Sequence, residues 1–266
     1  MSAETEGEGP VLVEADGPVL LITLNRPEAC NAVNATVSAA VGSALETLAS
    51  DARLRVGIVT GSGATFCAGA DLKELAAGRP VTAPGHAEWG FAGLVRHVID
   101  KPLIAAVNGP ALGGGTELTL ACDLAIAAEH ATFGLPEVTR GLVAAAGGLL
   151  RLHRHIPAKM AAHAVLTGEP LDAATALRWG LVNAVVPATE VHSRALALAH
   201  RIAANAPIAV RASKRIMRQT ADFGSDWSED MWQMNEAEVK AVRGSRDARE
   251  GAVAFGQKRT PTWQDR

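Results

Sequence analysis

Two glutamates, Glu117 and Glu137, each sit beside a turn rich in small residues, and chemistry could reside there. The first closes the run Asn108-Gly109-Pro110-Ala111-Leu112-Gly113-Gly114-Gly115-Thr116-Glu117. Three glycines at the start of a helix leave N–H donors at the positive end of its dipole, able to cradle a phosphate or an oxyanion. Their spacing matches neither a Walker loop nor the dinucleotide fingerprint. Glu137 follows Pro136 in Phe133-Gly134-Leu135-Pro136-Glu137-Val138, which suits the first turn of a helix. A third segment, Thr65-Phe66-Cys67-Ala68-Gly69-Ala70-Asp71-Leu72-Lys73, crowds small residues into a strand-to-helix corner, where a ligand can approach the backbone. On composition alone the corner reads equally as a tight turn, and each glutamate as an acid placed near a helix start.

Other chemistries lack their residues. There is no G-x-S-x-G elbow and no H-E-x-x-H pair, and His153 and His155 stand in a basic stretch that reads as surface or interface. Cys30, Cys67 and Cys122 are far apart and odd in number, which argues against disulfides or a zinc site and for a reduced, cytoplasmic setting. A net charge of −3 leaves no basic footprint for nucleic acid. The cluster Arg211 to Arg218 is spaced like the water-facing side of a helix. No apolar run is long enough to span a membrane.

Elements that could position the acids follow from periodicity. Val11–Glu14 and Val19–Leu24 form a hairpin around Asp16-Gly17. The spacing predicts a helix over Ala35 to Ala49, with Val37, Val41, Leu45 and Leu48 on one stripe. Val56–Thr60, Leu103–Val107 and Leu124–Ala127 are short buried strands, and a helix runs from Gly114 to Cys122. After Ala188 only helices are expected: Val191–Asn205, Pro207–Thr220, Ser225–Arg243 and Arg246–Phe255. The pattern is α/β. Residues 1–10 form an acidic, Gly-rich disordered leader, 11–205 the core with the active site, and 206–266 a helical region. Apolar residues make up 48% of the chain, with no Tyr and five Phe, so the core must rest on close helix–sheet contact.

In order, L-N-R-P at 24–27, F-C-A-G-A-D-L at 66–72, A-A-V-N-G-P-A-L-G-G-G-T-E at 105–117, F-G-L-P-E at 133–137, L-T-G-E-P-L-D-A at 166–173, W-G-L-V-N at 179–183 and E-G-A-V-A-F-G-Q-K-R at 250–259 resemble the crotonase (enoyl-CoA hydratase/isomerase) superfamily along nearly the whole chain. The resemblance implies a crotonase-like spiral of repeated ββα units with a C-terminal α-helical trimerisation region. It implies an acyl-coenzyme A thioester as substrate, with coenzyme A entering as part of that substrate and no separate cofactor or metal. The thioester oxygen would meet the backbone N–H groups of Ala70 and Gly114. Glu117 would chiefly activate water and Glu137 chiefly give a proton to C2. Ala68, Ala70, Asp71, Leu72, Lys73 and Gly114 match substrate-binding positions. Phe255 and Lys258 match tail positions that reach a neighbouring subunit's coenzyme A in a homotrimer or homohexamer.

Three features set this chain apart from the hydratase pattern. Leu135 stands where Gln is common, Ala144-Ala145 stands where Pro-Gly is usual, and the segment Gly78 to Gly93 resembles the variable wall of the acyl pocket. Enoyl-CoA hydration is the leading expectation. Δ3-Δ2-enoyl-CoA isomerisation, which can manage with one acid near Glu137, is the second. A CoA-ester-binding protein with little turnover is the third.

Overall fold

The computed structural model describes residues 9–223, 225 and 227–265, so the leader expected over residues 1–10 lies outside the described residues except for Gly9 and Pro10. Val11–Asp16 (β1) and Val19–Leu24 (β2) form the expected antiparallel hairpin. Ala35–Ser50 (α1) begins where the Asn34 side chain accepts the Val37 N–H at 3.0 Å, pairing a donor that a helix start leaves over. Its stripe of Val37, Val41, Leu45 and Leu48 is buried. Each such side chain contributes roughly 1.5–3 kcal/mol relative to exposure.

From Val56–Gly61 (β3) the chain winds as a spiral. The short helix Leu72–Ala76 (α2) follows the corner. Leu103–Val107 (β4), Ala111–Leu112 (β5) and Gly114–Ala121 (α3) make one ββα turn. Leu124–Ala128 (β6), Thr132–Gly134 (β7) and Gly148–His155 (α4) make the next. Ala158–Thr167 (α5), Leu171–Asp172 (β8), Ala173–Trp179 (α6), Ala184–Val186 (β9) and Val191–Ala203 (α7) complete the body. Every turn sends one strand to a large sheet, β1-β2-β3-β4-β6-β9, parallel from β2 onward. β5, β7 and β8 form a small sheet.

The core is built for close approach. Ala105, Ala106, Ala127 and Ala128 are buried in β4 and β6, and Ala195, Ala199 and Ala203 recur every fourth residue on the buried face of α7, which lies on β3 and β4. Phe66 and Phe133 are the largest fully buried side chains.

Pro207–Gln219 (α8), Glu229–Arg243 (α9) and Arg246–Gly256 (α10) follow. The Arg211–Arg218 cluster is not the water-facing surface expected of it. Lys214 donates to the Lys101 carbonyl at 2.8 Å and to Asp123 at 2.7 Å. Arg215 pairs with Glu238 at 2.6 Å and with Asp100 at 3.0 Å, and Arg211 pairs with Asp265. The acids come from distant segments, so the sequence spacing of the bases carried no sign of them. No helix among the described residues is long and apolar enough to cross a membrane.

Candidate active site

The corner before α2 is held on both sides. Val33 pairs with it as an isolated parallel bridge: the Val33 amide donates to the Gly69 carbonyl at 2.8 Å, and the Asp71 amide donates to the Val33 carbonyl at 2.9 Å. In an extended segment successive peptide groups point to opposite sides. With Gly69 and Asp71 bonded towards Val33, the Ala70 N–H faces the other way. Among the described residues it finds no acceptor. The L-N-R-P turn braces this arrangement. Buried Asn31 donates to the Ser62 and Thr65 carbonyls at 2.9 and 2.7 Å, and Arg26 pairs with Asp71 at 3.0 Å.

The second donor is the Gly114 N–H, at the first position of α3, where no intrahelical acceptor exists. The two corners nearly touch. A Cβ on Gly69 would lie 3.0 Å from the Gly114 nitrogen, and Gly69 takes φ +95°, so space and backbone both require glycine there. Two unpaired amides thus face one cavity of about 790 Å³, whose wall includes Ala68, Ala70, Leu72, Gly114, Glu117 and Glu137.

Thr116 sets the relation between the two acids. Its hydroxyl donates to the Ala111 carbonyl at 2.6 Å and accepts the Gly134 amide at 3.0 Å, while the Gly113 amide donates to the Gly134 carbonyl. These bonds lock the start of α3 to the end of β7, which leads directly into the 3-10 turn Pro136–Arg140 carrying Glu137. A hydroxyl at the third position of G-G-T-E is the signal that sequence reasoning passed over.

Glu117 is 2% exposed, and its Oε1 accepts the Gly148 amide at 2.8 Å. Burial pushes its pKa up to about 7; the Gly148 amide pulls it back and the Glu137 charge adds to the rise. Burial also raises Glu137, against its own amide and the Arg140 charge, and its Oε2 is buried with no protein partner. Leu135 packs beside Gly148: a Cβ there would lie 2.9 Å from Leu135 Cδ1 and 3.1 Å from Glu117 Oε1. An apolar side chain therefore adjoins the acid where a polar one is usual. Ala145 lines the cavity as well. Two carboxyls whose pKa values burial raises, beside paired amide donors, can move protons while stabilising a developing oxyanion.

The remaining candidate positions lie off the cavity wall. Asp71 caps α2 by accepting the Lys73 amide at 3.1 Å. Burial alone would raise its pKa, but Arg26 and that amide hold it below the usual carboxylate range. Lys73 is exposed, Phe255 is 88% exposed on α10, and Lys258 is exposed just beyond it. The cations on the wall are instead Arg96, Arg140 and Arg151, and Phe91 packs over Gly114. None of these four was marked by a motif.

The geometry has relatives. The family model described as enoyl-CoA hydratase/isomerase matches residues 14–266. A carnitinyl-CoA dehydratase of Salmonella arizonae is 44% identical over 257 residues, spanning 94% of this chain and 96% of that one. An enoyl-CoA hydratase of Mycobacterium tuberculosis superposes with a TM-score of 0.92 at 46% identity, covering 97% of this chain and 100% of that one. A carnitinyl-CoA dehydratase of Mycobacterium avium gives a TM-score of 0.78 at 53% identity, covering 97% and 100%. The spiral, the ordered motifs and these matches agree: the chain belongs to the enoyl-CoA hydratase/isomerase family, within the crotonase superfamily.

Proposed function

We propose that the protein adds water reversibly across the double bond of a 2-enoyl-CoA thioester. The observation that carries this reading is the pair of pKa-raised glutamates, Glu117 buried and Glu137 half-buried, sharing one cavity with two unpaired amides. The Ala70 and Gly114 amides hold the thioester oxygen as negative charge gathers on it. Ionised Glu117 takes a proton from water as the water oxygen bonds to C3. Protonated Glu137 delivers its proton to C2. The two acids thereby exchange protonation states, and solvent resets them. Run backwards, the same steps dehydrate a 3-hydroxyacyl-CoA, the direction in which the relatives named dehydratases are described. Coenzyme A enters with the substrate, and no other cofactor has a step to perform.

The test is a panel of 2-enoyl-, 3-enoyl- and 3-hydroxyacyl-CoA esters followed by the absorbance of the conjugated thioester. Loss with 2-enoyl esters and gain with 3-hydroxy esters is expected. Gain from 3-enoyl esters with stable 2-enoyl esters would install isomerisation instead, and silence throughout would leave only ester binding.

The helical region from residue 206 supports assembly into a trimer, or a hexamer of paired trimers. Met217, Trp227 and Phe255 are 75%, 87% and 88% exposed, apolar side chains that a contact between subunits would cover. A closed ring buries such faces reciprocally and brings Phe255 and Lys258 towards a neighbour's site. Sedimentation at micromolar concentration should give a trimer or hexamer, and truncation before Pro207 should give aggregates. A clean monomer from the intact chain would remove any role for Lys258 at a neighbouring coenzyme A. The three free thiols suit a reducing cytoplasm.

A further inference from the structure

Resting on the reading that this cavity takes an acyl-CoA ester, we infer that His97 is a positioning residue for one wall of it: the protonated ring clamps that wall to α1 beside Trp89, so acyl-CoA binding tightens when His97 takes up a proton. His97 itself does not line the cavity. It closes the irregular turn that follows the 3-10 turn Ala87–Trp89, and Gly90, Phe91, Val95 and Arg96 of that segment form part of the wall. The segment holds together through its own amides. Leu94 and Val95 donate to the Phe91 carbonyl, and Arg96 donates to the Trp89 carbonyl at 3.0 Å.

This piece docks on α1 by close approach. Trp89 lies against Gly42, where a Cβ would come within 2.2 Å of the indole. Gly93 takes φ +65°, and a Cβ there would come within 2.1 Å of the Ser38 carbonyl oxygen. The Ser38 hydroxyl donates to the carbonyl of Val81, another residue of the wall, at 2.5 Å. Three aromatic rings then stack beside α1. His86 and His97 both lie parallel to Trp89, with centroids 3.8 and 4.8 Å away and planes inclined by 7° and 6°.

Charge enters this stack at His97. Its side chain is 6% exposed, and both ring nitrogens face acceptors. Nδ1 lies 3.0 Å from the Gly93 carbonyl oxygen, and Nε2 lies 2.7 Å from a Glu46 carboxylate oxygen on α1. A neutral imidazole has one N–H and cannot serve both; the imidazolium can. A positive ring is also favoured against the face of an indole. The charged groups around it are Glu46 from α1, and His86 with Glu88 from the 3-10 turn. Arg96 precedes it on its own segment, and Arg151 from α4 donates to the Val95 carbonyl. Glu88 pairs with His86 at 3.0 Å, which leaves Glu46 as the acid that answers His97. His86 is half-exposed and can trade its acid for water at little cost. Histidine changes charge between about pH 5 and 8. When His97 loses its proton it gives up one of its two bonds, and the wall is held less firmly on α1. Fewer molecules then keep Phe91 seated over Gly114, and apparent affinity falls with that fraction.

Calorimetry of butyryl-CoA, a saturated and unreactive ester, on the intact protein at about pH 5.5 and about pH 8.5 tests this. The readout is the affinity of the parent divided by that of His97→Gln at each pH. Titration of Glu117 and of the ester is common to both proteins and cancels. The ratio should be about fivefold higher at the lower pH, the worth of one net hydrogen bond. Glu46→Gln, on the exposed side of α1, offers a partner to either form of the ring and should give the same pH-dependent ratio. His86→Gln should give a ratio that does not change with pH. Equal ratios at both pH values for His97→Gln and Glu46→Gln, ratios that rise with pH, or a pH-dependent ratio for His86→Gln alone would each overturn the inference. If His97→Gln does not fold, Glu46→Gln decides. Flat ratios in a protein that hydrates 2-enoyl esters would sink this inference alone. Failure to hydrate them, with the pH-dependent ratio intact, would sink the hydratase reading alone.

Discussion

Glu117→Gln and Glu137→Gln are each expected to lower hydration turnover by about 10²–10⁴-fold, the usual range for a positioned acid or base, with the fold retained. Glutamine keeps an oxygen for the Gly148 amide that Glu117 accepts, so the loss reports proton transfer rather than collapse of the pocket. Single-turnover kinetics with a 2-enoyl-CoA reads it. Near-normal hydration by Glu117→Gln would assign the proton work to Glu137 alone, the pattern of an isomerase. The same variant has a second, opposite signature. The carboxyl of Glu117 ionises at about 7 in the folded protein against an ordinary 4.5. Below pH 4.5 it is protonated folded or unfolded, and the raised pKa carries no penalty. Between pH 4.5 and about 7 the unfolded chain sheds this proton while the folded protein keeps it, so stability falls across that window, by on the order of 3 kcal/mol in all, and stays lower above it. Glu117→Gln should therefore melt above the parent at pH 8, with the gap closing by pH 4.5. An activity loss accompanied by lower stability at pH 8 would contradict the burial argument.

Removing the Gly114 amide is expected to reduce turnover by about 10²–10³-fold, the usual loss for one oxyanion donor. Gly114→Pro removes the N–H at a helix position where proline is otherwise tolerated. Gly114→Ala keeps it, but a Cβ at 114 would lie 2.3 Å from the Phe91 ring, so alanine alone displaces that ring and disturbs the cavity wall. The comparison is therefore best made in a Phe91→Ala background, which removes the ring that a Cβ at 114 would meet. There Gly114→Ala should stay near the activity of Phe91→Ala itself, and Gly114→Pro should fall by the full donor loss. Equal activity of the two double variants would take Gly114 out of the mechanism.

The preferences legible in the residue order are local ones. Alternation and apolar spacing marked Val19–Leu24, Leu103–Val107 and the stripe of α1, and glycine and proline marked where strands end, because these preferences act within a few residues. The ordered motifs also singled out Ala70, Gly114, Glu117 and Glu137, four groups that the spiral gathers on one cavity wall. The directions of the long charged side chains depend instead on contacts between distant segments. Lys73 belongs to a motif yet points to solvent, whereas Arg151 adjoins the basic stretch of His153 and His155, which read as surface or interface, yet lines the cavity. Arg211, Lys214 and Arg215 have the spacing of a wet face yet bind Asp265, Asp123, Asp100 and Glu238. A long, flexible cation takes its direction from whichever acid or carbonyl the fold brings within reach, and those partners lie tens of residues away. The Ala70 amide is aimed in the same non-local way, because Val33, thirty-odd residues earlier, engages the peptide groups on either side and turns it towards the Gly114 amide.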